Sequence, residues 1–192
     1  MSIASRFLKK RYLLALALVV AGIVVTIAWR DTMATPDVRR IDVALPGMPA
    51  GSDPVTIALL ADIHVAGPDM PPERLARIVA QVNALDPDLV LIAGDFVSDK
   101  RTATRHYAAD DALAPLRELG TTAIAVPGNH DHWRSIESIG DALAKTGITV
   151  LRNEAVKVGP LVIGGSTTTS PSTPICPPPC LLCVSMTAAR SF

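Results

Sequence analysis

The chain has 192 residues, 49% of them hydrophobic, and its 18 basic and 18 acidic side chains leave no formal net charge. That balance excludes the basic footprint by which proteins neutralise nucleic-acid phosphates, so no nucleic-acid partner is expected. Part of the apolar excess is concentrated at the start of the chain.

Arg6, Lys9, Lys10 and Arg11 precede a charge-free run from Tyr12 to Trp29. As a helix that run spans about 27 Å, close to the hydrocarbon thickness of a bilayer. Residues 1–30 are therefore read as a membrane anchor or signal segment. An uncleaved anchor is favoured by the length of the run, because the apolar core of a cleaved signal is usually shorter. Thr32-Met33-Ala34 is the cleavage site that the alternative would use. The basic cluster holds its end in the cytoplasm. Ser5 to Lys9 partly resembles a twin-arginine export signal but lacks the arginine pair. The expectation is a single-pass protein of a bacterial inner membrane with its C-terminal domain exported; the alternative is a secreted or periplasmic protein.

Residues 31–54 read as a linker whose alternating stretch Ile41–Leu45 predicts an edge strand. Val55–Ala61 is an apolar run ending at Asp62-Ile63-His64. Pro71–Leu85 places Leu75, Ile78, Val79 and Val82 at helical spacing, and Asp86-Pro87-Asp88 stops that helix. A second buried-strand pattern, Leu89–Ala93, ends at Gly94-Asp95, and Asp110–Leu119 predicts an amphipathic helix closed by Gly120. A third, Thr122–Val126, leads to Gly128-Asn129-His130-Asp131. A helix over about Ile136–Lys145 follows, then short strands at Val150-Leu151, Ala155–Val158 and Leu161–Ile163. The β-α-β-α-β order predicts an α/β fold with a largely parallel sheet covered by helices.

Each of the three motifs follows a predicted strand, and ligands gather at the carboxyl ends of the strands of open α/β sheets. In an extended segment residues i and i+2 point the same way, so Asp62 and His64 are placed to grip one ion. Carboxylate and imidazole donors suit zinc, iron or manganese. Asp95 follows a glycine and has two oxygens with which to bridge two ions. Asn129 offers a neutral oxygen, His130 a titratable imidazole, and Asp131 a carboxylate to orient that imidazole. The plainer reading is that Asp62, Asp95 and Gly128-Asn129 are turn formers. Asp99 reads as a loop cap, His106 as solvated in a polar helical stretch, and His132 as a packing neighbour of Trp133.

LADIHV, AGDFVSD and PGNHD, in this order, resemble the calcineurin-like metallophosphoesterase family, whose pattern is Asp-x-His, Gly-Asp-x-x-x-Asp and Gly-Asn-His-Asp/Glu. The resemblance implies a layered α/β/β/α sandwich, here incomplete, over residues 55–165. It implies a two-metal hydrolase of phosphomonoesters, phosphodiesters or pyrophosphates, with manganese, iron or zinc. Asp62 and His64 bind the first ion, Asp95 bridges, and Asn129 binds the second. His130, with Asp131, is catalytic: it contacts the phosphate and protonates the leaving group. With an anchor, a lipid headgroup becomes a plausible substrate.

The family also calls for later histidines, and this chain has none after His132. Residues 166–192 are rich in Ser, Thr and Pro, contain no acidic residue, and carry Cys176, Cys180 and Cys183. They read as a disordered tail foreign to the fold, left by a frameshift or truncation near Gly165. Three cysteines without a fourth ligand fit poorly to a closed zinc site. The alternative to an enzyme is thus a catalytically incomplete, membrane-anchored fragment.

Overall fold

A computed structural model of the chain describes residues 3–45 and 51–166. The chain divides into two compact units, Met1–Pro36 and Asp37–Phe192. The first is built on one long helix, α1 (Ile3–Met33). Its stretch Lys10–Met33 is long and apolar enough to cross a membrane, and none of it is buried. The hydroxyls of Thr26 and Thr32 donate to the Gly22 and Ala28 carbonyls at 2.8 Å, so both are satisfied within the helix.

The second unit is α/β. Strands β1 (Ile57–Ala61), β2 (Leu89–Ala93), β3 (Ala123–Val126) and β4 (Thr149–Val150) form one sheet in that order, and all its pairs are parallel. The register aligns Ala61 with Ala93 and Ala93 with Val126, so the three motifs leave the sheet side by side. Side chains alternate across the sheet with the period of two that strands impose. Val90 and Ile92 of β2, with Ala123 and Ala125 of β3, enter one core; Leu89, Leu91, Ile124 and Val126 enter another on the opposite face.

Helices cover the first face. In α2 (Pro72–Asn83) the residues Leu75, Ile78, Val79 and Val82 are buried, and Pro72 sits where a first turn needs no N–H. Helix α5 (Ile136–Lys145) buries Ile139, Ala142 and Leu143 against the same core. The region expected as one helix over Asp110–Leu119 is instead α3 (Ala109–Leu113) followed by a 3-10 turn over Ala114–Glu118. Pro115 is the cause: it cannot donate to the helical ladder, and its ring displaces the carbonyl four residues earlier.

The second face is covered by an antiparallel pair, β5 (Glu154–Val158) and β6 (Leu161–Gly165), through Leu161 and Ile163. The described residues of the second unit thus form three layers, helices, parallel sheet and a second small sheet. Ile41–Leu45 is not a strand. Alternation alone gives no partner, and Ile41 and Val43 are exposed while Leu45 packs against the second core. The tail, with Cys176, Cys180 and Cys183, lies outside the described residues apart from Ser166.

Candidate metal centre

Beyond β1 the chain does not stay extended. Asp62 (φ 52°) and His64 (φ 49°) are both left-handed, with Ile63 buried between them. This corrects the expected reason for their convergence: a double backbone reversal, not strand periodicity, brings them together. Such torsions are uncommon outside glycine and cluster at functional sites. The segment is held by His64 N–H donating to the Asp95 carbonyl (2.8 Å) and Val65 N–H to the Phe96 carbonyl (2.9 Å).

At the end of β2, Gly94 (φ 56°) and Asp95 (φ 54°) repeat the left-handed conformation. Gly94 is required twice over. Its torsion is one that side chains resist, and a Cβ there would overlap the backbone of Gly128. Gly128 is equally constrained, since a Cβ on it would meet the Asp95 carboxylate. Two glycines therefore let the ends of β2 and β3 touch backbone to backbone.

After Gly128 the chain forms α4 (Asn129–Arg134), a helix absent from the sequence expectation. Six residues cannot sustain a helix alone. Asp131 pins it from below. Its Oδ2 accepts from the backbone N–H of Asp95 (2.9 Å) and Gly128 (2.8 Å), and its Oδ1 accepts from Phe96 N–H (2.8 Å). Asp131 is fully buried. Burial pushes its carboxyl above the usual aspartate range, while the three N–H groups pull the other way. With both oxygens engaged on the backbone, Asp131 does not orient the imidazole as expected; it joins the two loops. Arg134 pins the helix from its other end, donating to the carbonyls of Ser98 (2.9 Å) and Tyr107 (3.0 Å).

The partner of the imidazole is Asp99, read from sequence as a loop cap. His130 Nδ1 lies 2.8 Å from Asp99 Oδ1. The hydrogen bond from His130 holds the Asp99 carboxyl below its ordinary value, so it is an ionised, acceptor-only group and Nδ1 carries the proton. That leaves Nε2 of His130 available. The neighbour of Trp133 is likewise His130, with ring centroids 4.7 Å apart, and not His132, which is exposed. His106 is exposed as expected, although its segment is not helical.

His64, Asp95 and His130 offer three ligand atoms lying within 4.8 Å of one another. His64 Nε2 is 3.7 Å from Asp95 Oδ2 and 3.9 Å from Asp62 Oδ1. These separations exceed hydrogen-bond reach, yet one ion with bonds of about 2.0–2.2 Å spans them. His64 Nδ1 is buried with no hydrogen-bond partner among the described residues. Asp95 is 4% exposed and also accepts His130 N–H through Oδ1 (2.9 Å), whereas Asp62 is at the rim with its side chain 70% exposed. Asn129 opens α4 next to His130 and is half-buried.

The family model for the calcineurin-like phosphoesterase matches residues 55–169, the segment that carries this site. The chain belongs to that family. A transmembrane protein with a metallophosphoesterase domain from Danio rerio is 30% identical over 144 residues, covering 74% of this chain and 32% of that protein. An uncharacterised metallophosphoesterase of Campylobacter jejuni is 26% identical over 159 residues, covering 81% of this chain and 40% of the relative. The chain thus spans well under half the length of these relatives. Among solved structures, an archaeal phosphodiesterase matches 58% of each chain at 18% identity and a TM-score of 0.42.

Proposed function

We propose that the chain is a metal-dependent hydrolase of phosphate esters that uses a two-metal site and is tethered to a membrane by α1. The observation that carries this reading is the convergence of His64, Asp95 and His130 from three strand ends, with ligand atoms within 4.8 Å. The donor set fits a hard or borderline divalent ion, and the partnerless separations around His64 Nε2 fit one ion between them. Asp62, His64 and Asp95 are assigned to the first ion, and Asp95 and Asn129 to the second. Zinc, manganese or iron there would supply the Lewis-acid charge that draws in and polarises a phosphate ester.

The remaining roles fall to side chains of the chain itself. Asp99 holds Nδ1 of His130 and so fixes the orientation of the ring; in the doubly protonated imidazolium Nε2 is then the nitrogen that delivers a proton to the departing oxygen. Asp131 acts through position alone: by joining the β2 and β3 loops it fixes the distance between Asp95 and His130. The length and composition of α1, together with relatives named as transmembrane proteins, support tethering. An export-side, single-pass placement and an ester of a lipid headgroup are the form of this reading that the anchor favours.

Metal analysis of the purified chain, paired with hydrolysis of an aryl phosphodiester, tests it. Close to two ions per chain with metal-dependent turnover is the expected result. Fewer than one ion and no turnover, with the fold retained by circular dichroism, would establish instead the catalytically incomplete, membrane-anchored fragment.

A further inference from the structure

Trp133 is the one exposed aromatic residue among the described residues of the second unit, at 68% exposure. Single exposed apolar side chains are ordinary. This one differs in its place and its support. It stands three residues after His130 on α4, and helical residues i and i+3 share a face. The His130 ring is packed edge-on against both the His64 ring (4.9 Å) and the Trp133 ring (4.7 Å, 65° between planes). The imidazole of His130 is thus flanked by a candidate metal ligand and by an indole that remains largely open to solvent.

The platform is rigid for reasons already visible in the chain. Asp131 and Arg134 bracket Trp133 in sequence, and between them they make five hydrogen bonds to the backbone of residues 95, 96, 98, 107 and 128. An aromatic side chain on such a base offers a flat face with little conformational freedom left to lose on binding.

We propose that Trp133 is a specificity-determining residue: the indole stacks on a planar aromatic ring carried by the leaving group of the ester. The inference rests on the phosphoesterase reading, because that reading makes His130 the donor to the departing oxygen. In the reaction a water oxygen bonds to phosphorus while the bond from phosphorus to the leaving oxygen breaks. The electron pair stays on that oxygen, which takes the proton from His130, and the water proton is released to solvent. Whatever is attached to the leaving oxygen must therefore lie against His130, and Trp133 is the surface beside it.

The test uses the full chain in detergent with Trp29→Phe, which leaves Trp133 as the only tryptophan. The zinc-loaded protein is titrated with phenylphosphonate, cyclohexylphosphonate and methylphosphonate, whose carbon–phosphorus bonds resist hydrolysis. Stacking predicts that phenylphosphonate binds about tenfold tighter than the other two and shifts the Trp133 emission, in the range that base-on-aromatic stacking supplies. In calorimetry on the full chain, Trp133→Ala and the bulkier Trp133→Leu remove the phenyl preference and leave methylphosphonate affinity unchanged, whereas Trp133→Phe keeps most of it. Equal affinities for the three phosphonates, with zinc and methylphosphonate both bound, would overturn the subsite and leave the phosphoesterase reading standing. A phenyl preference untouched by Trp133→Ala, with weakened partition onto lipid vesicles, would overturn it in favour of a membrane contact. Failure to bind zinc or methylphosphonate at all would remove the function reading and the subsite with it.

Discussion

Replacing Asp131 by Ala tests the architecture of the site more directly than removing a ligand does. The side chain is fully buried and satisfies three backbone N–H groups, those of Asp95, Phe96 and Gly128, at 2.8–2.9 Å. Alanine leaves all three donors without a partner in a confined space. An orphaned buried donor costs about 1–3 kcal/mol. Three in sum would exceed the usual range for point mutants, and entry of a water would recover part, so a loss of about 3–5 kcal/mol is expected. Asp131→Asn should cost less, about 1–3 kcal/mol, because one amide oxygen still accepts while the amide nitrogen faces an N–H. Burial raises the carboxyl's pKa, so part of the aspartate's bonding strength is already offset by desolvation, which favours the lower half of the alanine range. Urea denaturation of the full chain in detergent, followed by near-ultraviolet circular dichroism, measures both variants. A loss below about 1 kcal/mol for Asp131→Ala would refute the view that this carboxylate joins the two loops.

Gly94 and Gly159 share nearly the same torsion, φ 56° and 55°, but only Gly94 faces backbone; nothing lies within 4 Å of a Cβ at Gly159. Gly159→Ala should therefore cost about 1–2 kcal/mol from torsion alone, and Gly94→Ala at least about 1–3 kcal/mol more from overlap; equal losses in thermal denaturation would contradict the close approach. His64→Ala should weaken zinc affinity by more than the 10–100-fold typical of losing an outer partner of a ligand, as read by competition with a chelating dye, whereas an unchanged affinity would remove His64 from the centre. The hydrogen bond from His130 lowers the pKa of Asp99, so the pair contributes stability above the unfolded aspartate value of about 3.9 and loses it as pH falls through the lower folded value. Asp99→Asn should accordingly flatten the most acidic part of an acid-unfolding curve and, above pH 5, lower stability by a constant amount without changing the slope. A variant that alters only the neutral range would contradict that linkage.

The strand-to-motif order was legible because largely apolar runs of five to seven residues, closed by Asp62, Gly94 and Pro127-Gly128, have few other readings, and the register then aligns Ala61, Ala93 and Val126 as the order requires. The helices α2 and α5 were legible from spacing for the same reason. Helix α4 was not, because its six residues carry no apolar period and are held by tertiary hydrogen bonds from Asp131 and Arg134. The Asp99–His130 pair joins residues 31 apart, a separation that no local rule connects, although the Gly-Asp-x-x-x-Asp pattern held the clue. Ile41–Leu45 had the alternation of a strand but no strand to lie against among the described residues.

Under the proposed metal-binding role, the left-handed backbone at Asp62, His64 and Asp95 sets selection for activity against selection for stability. At Asp62, whose side chain is 70% exposed, glycine would relieve a torsion that L-residues resist, and it would remove a carboxylate from the rim. Any process that rewards thermal stability alone should therefore drift toward glycine at this position. On the proposed assignment of Asp62 to an ion, its aspartate is kept only where holding that ion outweighs a firmer fold, which would make residue 62 a sensor of whether a lineage still uses the site.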